Sequence, residues 1–447
     1  MSALKKVLLW IVIAIPPFSF FALLAKSLPV VPVADDYMAI LDFLLRWKKV
    51  SGFGHLALIL TFQHYDYRCI FRNAILAAQY VLLGHTDIRG LSILGDLFVL
   101  PIFAALYLIW RECGRPRDYS LLAFVPVSWI FFQLQYEGTL NFPTPALQIL
   151  PVTLFVLLTC WLASKTSAWA YSGSLLGLLF CIASNGDGLF MTVVGAIVYL
   201  QRKEFKKLAG WSICCVLACL VYFHGYNFAV GEVHTHSSNN VISIFQHLSL
   251  AYALAFLGDI AAVQNPLPAI LFGIVLVGVF LWATWDRLFE RRPALYYPML
   301  FVMITGAAVS GHRSSLGLVT ALNSAYRINS LILVILLYLF LADKFHGISM
   351  RPLALRVGVC VFAGLLVAFN LISDRGGEKV LVTKRAKEEA AMLRWERHEP
   401  RPAIVASSTD DLTVRGEMKG NFEPVEPTLS DSIREGIYKL PELTTGN

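Results

Sequence analysis

Val7–Leu24 reads VLLWIVIAIPPFSFFALL, an uncharged run long enough to cross the hydrocarbon core of a bilayer as a helix. Lys5 and Lys6 precede it, and Asp35-Asp36-Tyr37 follows a short Pro-rich connector. Basic residues before a first span hold the preceding segment in the cytoplasm, so the acidic pair is expected on the far side, near the lipid headgroups. The run is long for a signal-peptide core, and Ala25-Lys26-Ser27 makes a poor cleavage site, so it reads as a retained span.

The rest of the chain repeats that pattern. Of 447 residues, 57% are hydrophobic and 15% charged, against about 25% charged in a soluble domain. The apolar residues gather in blocks of spanning length. Besides the first, the candidate spans are 90–110, 119–135, 145–164, 170–184, 188–201, 208–224, 268–284, 296–310, 328–342 and 353–372. The expected fold is therefore an all-α polytopic membrane protein of about eleven transmembrane helices.

Charge in the connectors tests this order. Arg111/Arg115/Arg117, Arg202/Lys203/Lys206/Lys207, Arg287/Arg291/Arg292 and Lys344/Arg351 all alternate onto the side of Lys5-Lys6, whereas 136–144, 185–187 and 225–267 contain neither Lys nor Arg. The net charge of +7 is thus explained by orientation and carries no expectation of nucleic acid. His247–Val263 would upset the alternation as a span and reads as an amphipathic or re-entrant helix. The outer loop 26–89 reads as carrying interfacial helices. Residues 1–373 form the transmembrane domain. Residues 374–447 form a small tethered extra-cytoplasmic tail, with a helix near Lys384–Arg397 and disorder near Pro400–Thr413. The cysteines show no CxxC and read as small buried residues, not as a disulfide framework or metal site.

The polar residues that hydropathy leaves unexplained fall on the outer side. Asp35 and Asp36 could act as general base for a hydroxyl acceptor, could hold a divalent cation bridging a phosphate, or could cap a helix starting at Tyr37. Arg68 and Arg72, four apart, would share one face of a helix. With Arg313 and Arg327 they suit a phosphate or pyrophosphate, or else snorkel to headgroups or pair with Asp66, Glu137 or Asp187. His312 and Tyr326 flank those late arginines, and Asn185-Gly186-Asp187-Gly188 reads as a tight turn whose Asp could line a cavity. His234 and His236 lack a third ligand and read first as a solvated loop. Asp96 and Asp259 are either buried and neutral or helix caps. There is no phosphate-binding P-loop, no HExxH, no GxSxG and no GxGxxG. With no sizeable cytoplasmic domain, any activated substrate must be lipid-borne or arrive from outside.

These residues and their layout resemble the GT-C class of integral-membrane glycosyltransferases. More narrowly, they are similar to bacterial polytopic proteins with an Asp-Asp-aromatic first outer loop. The likeness rests on Asp35-Asp36-Tyr37, the polar and basic stretch Gln63–Arg72, the turn Asn185–Gly188 and the stretch Gly311–Arg327. It covers most of residues 1–375 in layout but only those motifs in sequence. Glu137 is the counterpart of the class's second acidic motif, and Tyr326-Arg327 reverses the narrower family's Arg-then-Tyr order. The resemblance implies transfer of a sugar from a polyprenyl-phosphate carrier to a glycan, lipid or protein acceptor at the outer face of a bacterial cytoplasmic membrane, with Asp35 and Asp36 as base or metal-binding acid. The rival readings are a polysaccharide polymerase or ligase using the same donors, a flippase, and a non-catalytic envelope scaffold.

Overall fold

The computed structural model describes residues 3–64, 67–114, 117–227, 248–262, 265–345, 352–397 and 425–441. His234, His236, Asp66 and the tail segment Pro400–Thr413 lie outside these residues.

The described chain is almost wholly helical. After α1 (Ala3–Lys26) come a π-helical turn (Tyr37–Asp42), α2 (Phe43–Lys49), α3 (Phe53–Thr61), the hairpin β1 (Gln63–His64) and β2 (Tyr67–Arg68), and α4 (Ile70–Leu83). A bundle follows: α5 (Ile88–Asp96), α6 (Val99–Arg111), α7 (Arg117–Phe131), α8 (Pro143–Ala163), α9 (Ala168–Ser184), α10 (Met191–Gln201) and α11 (Phe205–Phe223). It continues with α12 (Leu250–Leu257), α13 (Pro266–Trp285), α14 (Leu288–Arg291), α15 (Pro293–Arg313), α16 (Arg327–Lys344), α17 (Pro352–Glu396) and α18 (Val425–Arg434).

Among the described residues six helical segments are long and apolar enough to cross a membrane: Leu4–Lys26, Ile88–Arg111, Pro143–Ala163, Phe205–Phe223, Pro266–Trp285 and Pro293–Leu316. Shorter apolar helices pack among them. α11 and α13 leave apolar side chains exposed, among them Ile213, Val216, Leu220, Leu271, Ile274 and Leu281, as suits helices that face a bilayer. α12 has eight residues, about 12 Å of helix, too short to span. It is not an amphipathic surface helix either. Tyr252, Ala255 and Phe256 are buried, and Gly258 and Gly273 let α12 and α13 touch backbone to backbone.

α8 orients the bundle. Its C-terminal end, beyond Ala163, meets the basic connectors: Arg202 donates to the Ala163 carbonyl at 2.8 Å, Lys165 pairs with Glu112, and Arg292 donates to the Cys113 carbonyl at 2.8 Å. The connectors assigned to one face by charge thus gather at one end. Two adjoining cavities, of about 140 and 370 Å³, lie there around Ser164, Lys165, Arg202, Arg292 and Tyr297. Asp35 and Asp36 stand at the opposite end.

Two sequence expectations need correction. Composition changes at Ser373, but the backbone does not: α17 runs 45 residues without a break. That is about 68 Å of helix, more than twice the hydrocarbon core. The helix is held where its composition turns polar. Gly377 lies so close to Leu134 that a Cβ there would collide with the Leu134 carbonyl, and Asp374 accepts from the Leu134 amide at 3.0 Å. The far end of the chain, read as a tethered tail, is packed where it is described. Ile437 and Tyr438 are buried, the Thr86 amide donates to the Ile437 carbonyl at 2.7 Å, and Lys48 pairs with Glu435 at 2.9 Å. Leu429, Ile437 and Tyr438 join Ile40, Leu41, Phe43, Leu44, Leu76 and Met392 in a second apolar core. The segment between α1 and α5 and the C-terminal segment therefore fold on one another.

Candidate functional site

The acidic pair sits on a turn with a strained entry, for Ala34 has φ +41°, an uncommon conformation for a residue with a Cβ. The strain sends the two carboxylates to different places. Asp36 is fully buried. Its Oδ2 accepts from the Val33 amide at 3.0 Å, and its Oδ1 accepts from the Thr144 amide at 3.2 Å and the Thr144 hydroxyl at 2.6 Å. Thr144 lies in the first turn of α8, whose N-cap, Phe142, brings no capping side chain. Asp36 therefore caps α8 from a distant part of the chain, where a carboxylate also complements the helix dipole. The expected cap at Tyr37 is absent: Asp36 makes no side-chain bond to the helix that it precedes. Burial pushes its carboxyl up to about 7, against the hydrogen bonds from Thr144 and Val33.

Asp35 is different. Its side chain is 31% exposed, and Oδ2 stands 3.9 Å from Nε2 of His64, an ion pair whenever that imidazole is protonated. Burial raises this carboxyl, but hydrogen bonding and charge from His64, with the charges of Arg72 and Lys384, outweigh it and hold Asp35 below its ordinary value. Asp35 is thus ionised at neutral pH and partly open, with the charges of Arg72 and Lys384 acting on it.

The hairpin brings His64 to this place, and α4, which follows it, brings the charge of Arg72. Gln63 is tied to the end of α11 by a pair of bonds with Asn227, at 2.8 and 2.9 Å. Arg68 is not on a helix with Arg72, as the spacing suggests: it ends β2, while Arg72 lies in the first turn of α4. Both are fully buried. Arg68 Nη1 donates to the carbonyls of Tyr222 at 2.6 Å and His224 at 2.8 Å, and its guanidinium lies 5.5 Å from the Tyr226 ring centroid. Its Nε and Nη2 have no partner. Arg72 makes one bond, Nη2 to Asn73 Oδ1 at 3.2 Å, and its Nε and Nη1 have none. Among the described residues no carboxylate lies within ion-pairing distance of either. A buried charge without a counter-ion costs several kcal/mol. Such an arrangement makes sense where an anion arrives from outside the fold.

The turn at Asn185 joins this group. Asn185 Oδ1 accepts from the Gly186 amide at 2.9 Å, and a Cβ at Gly186 would stand 3.6 Å from Tyr67 and 3.8 Å from the Tyr222 hydroxyl. Asp187, half-buried, therefore lies beside the anchor of Arg68. Asp96 is buried and accepts from the Asn141 amide at 3.1 Å, one residue before the N-cap of α8, so it caps no helix.

The late residues form a separate cluster. Arg327 Nε lies 3.2 Å from Oδ1 of the fully buried Asp259, close enough for an ion pair though misaligned for a hydrogen bond. Its Nη1 donates to the Gln135 carbonyl at 2.9 Å. Burial pushes Asp259 up to about 7, opposed by Arg327. Burial also raises Glu137, against Arg327, Ser324 and Lys384. Arg313 stacks 5.5 Å from the Tyr326 ring centroid, and Tyr326 packs on Phe256. His312 is half-buried beside Arg313. Arg327 and Arg313 are thus engaged by protein groups, as Arg68 is in part, whereas Arg72 makes a single bond.

Sequence reading missed Lys384. Its Nζ lies 4.0 Å from the Phe142 ring centroid, and its charge reaches Asp35, Asp36 and Glu137. Nothing in a stretch of alternating Lys, Glu and Ala marks one residue as different from a solvated helix face. Among the described residues no three potential metal ligands come together. Comparison with known proteins matches no family model, no curated protein and no solved structure.

Proposed function

We propose that the protein is a membrane glycosyltransferase. It takes a sugar from a polyprenyl-phosphate-linked donor and places it on a glycan, lipid or protein acceptor at the outer face of a bacterial cytoplasmic membrane. In this reading the bundle makes about eleven spans, with the N-terminus cytoplasmic and the C-terminal segment outside. The observation that carries the reading is the pair of buried guanidiniums, Arg68 and Arg72. Each has two nitrogens without a partner, and the charge of Arg72 acts on an ionised and partly open Asp35.

The chemistry asks for little else. A sugar phosphodiester is already activated, so no nucleotide is needed. The acceptor hydroxyl gives its proton to Asp35, its oxygen bonds to the anomeric carbon, and the bond from that carbon to the phosphate oxygen breaks. The leaving phosphate keeps the electron pair and gains a negative charge, which Arg68 and Arg72 offset. Asp35 later returns the proton to water. Asp36, its oxygens engaged by α8 and Val33, is a structural acid in this scheme, so the catalytic role narrows from the pair to Asp35. Arg313 and Arg327 likewise serve the fold. A divalent cation remains compatible with Asp35 and a donor phosphate, and would polarise the leaving oxygen.

Release of polyprenyl phosphate from a panel of polyprenyl-phosphate sugars reports turnover whichever acceptor is used. Wild-type protein in proteoliposomes is expected to release it from at least one donor, and Asp35→Asn to be slower by about 10²–10⁴-fold with unchanged thermal unfolding. Equal rates would remove the catalytic assignment. No release from any donor would leave the scaffold as the better account.

A further inference from the structure

One face of α8 joins the acidic turn to the start of α4. Near the outer end of that face the Thr144 hydroxyl donates to Asp36 at 2.6 Å. Further along it, the Phe155 ring lies 5.4 Å, centroid to centroid, from that of Phe71, the residue before Arg72. Gln148 is on the same face between these two contacts, one turn from Thr144 and two from Phe155. The rise of the helix puts it about 6 Å along the axis from the first and about 10 Å from the second. Gln148 is buried, and among the described residues its Nε2 has no hydrogen-bond partner. A buried donor left unpaired is costly, and nothing in the packing of α8 requires an amide there. The backbone beside it is also short of a bond. Pro151 lies inside α8 and has no N–H, so the Leu147 carbonyl lacks the donor that a regular helix would supply.

We propose that Gln148 binds the sugar of the lipid-borne donor: its amide donates to a ring hydroxyl, and the Leu147 carbonyl accepts from the same hydroxyl or the next. The inference rests on the glycosyltransferase reading and deepens it by naming the wall that holds the sugar. A hydroxyl both donates and accepts, so it matches a donor and an acceptor on adjacent residues. An ionised phosphate only accepts, and guanidiniums suit it better. The level along α8 agrees with this assignment. In the proposed transfer the anomeric carbon lies between the leaving phosphate, at Arg72, and the base, Asp35. Phe71 fixes the start of α4 at one end of this stretch, Asp36 fixes the acidic turn at the other, and Gln148 comes between them.

The test uses the full-length protein in detergent with two kinds of probe: polyprenyl phosphate, and a panel of its hexosyl esters (glucose, galactose, mannose and their 2-acetamido forms). Binding is followed by native mass spectrometry. Gln148→Met keeps the length of the side chain and removes its amide. It should weaken binding of at least one hexosyl lipid about tenfold, since a sugar hydroxyl loses its partner, and leave the affinity for polyprenyl phosphate within about twofold. Arg72→Met should weaken both. Because the substitution also removes an unpaired buried donor, the variant should unfold no lower than wild type, and its binding of polyprenyl phosphate reports that the site is intact. Equal losses for the two kinds of lipid would overturn the assignment by making Gln148 a phosphate contact or a strut. Wild-type affinity for every hexosyl lipid would overturn it too, by showing that the amide never meets the sugar. A wild-type protein that binds no hexosyl lipid would instead overturn the glycosyltransferase reading, which is a different result.

Discussion

Arg72→Met separates a ligand-binding arginine from a structural one. The guanidinium is fully buried, has a single protein hydrogen bond, of 3.2 Å, and leaves Nε and Nη1 unpartnered. In the ligand-free protein no carboxylate among the described residues contacts that charge, and only the more distant Asp35 offsets its burial. Replacing buried charged groups with apolar residues of similar volume is often neutral, or stabilising by about 1–4 kcal/mol. Met keeps the length of the stem and forfeits one hydrogen bond, worth about 1 kcal/mol. Asn73 still donates to the Ile59 carbonyl at 3.2 Å. The variant should therefore unfold at the same temperature as wild type or a higher one. With polyprenyl phosphate the order reverses. Two charge-assisted bonds at about 1.5–3 kcal/mol each correspond to a loss of at least about a hundredfold in affinity. Thermal unfolding in detergent, with and without the lipid, reads both effects: wild type gains stability as lipid is added and the variant does not. A variant that is several kcal/mol less stable, yet still responds to the lipid as wild type does, would refute the reasoning and make Arg72 a strut.

Two further outcomes follow from particular contacts. Asp36 has a folded-state value near 7 against 3.8 when unfolded, so its protonated form favours the fold. That contribution is whole below pH 4 and is lost as pH rises to 7, at about 1.4 kcal/mol per pH unit. Asp36→Asn should flatten this slope in a pH series of unfolding temperatures, while lowering stability by about 1–3 kcal/mol at pH 5, because its amide nitrogen cannot accept from the amides of Val33 or Thr144. An unchanged slope would place the titration elsewhere. The neighbouring glycines of α17 should behave in opposite ways. Gly376 has open space where a Cβ would go, so Gly376→Ala gains about 0.5–1 kcal/mol of helix propensity. Gly377→Ala meets the Leu134 carbonyl and should lose about 1–3 kcal/mol despite the same propensity gain. Equal shifts in chemical denaturation would mean that α17 does not dock there.

Local pattern carried the sequence reading a long way. The apolar runs become helices, the basic connectors meet at one end of α8, and the turn at Asn185 forms as its Asn-Gly content suggests. What was illegible depends on contacts between residues far apart in the chain. Asp36 caps a helix that starts more than a hundred residues later, and Arg327 finds Asp259 across a connector, so periodicity could not distinguish Asp35 from Asp36 or Arg72 from Arg327. Composition also misled at Ser373, because an α-helix propagates through its own backbone bonds whatever its side chains face. One of the two glycines just after Ser373, Gly377, comes close enough to Leu134 that a Cβ there would collide with it. The docking of Ile437 and Tyr438 onto the first outer loop had no local signal at all, since a few apolar residues in a polar tail match no period.

The most direct test of an anion site built around Asp35, Arg68 and Arg72 is a cryo-EM map of the full-length protein in nanodiscs supplied with polyprenyl phosphate. The account predicts phosphate density within hydrogen-bond reach of Arg72 or Arg68, with Asp35 facing it and Asp36 still bonded to Thr144. Phosphate density held only at the Lys165–Arg202 end, or an outer end where protein groups satisfy both guanidiniums with lipid present, would contradict it.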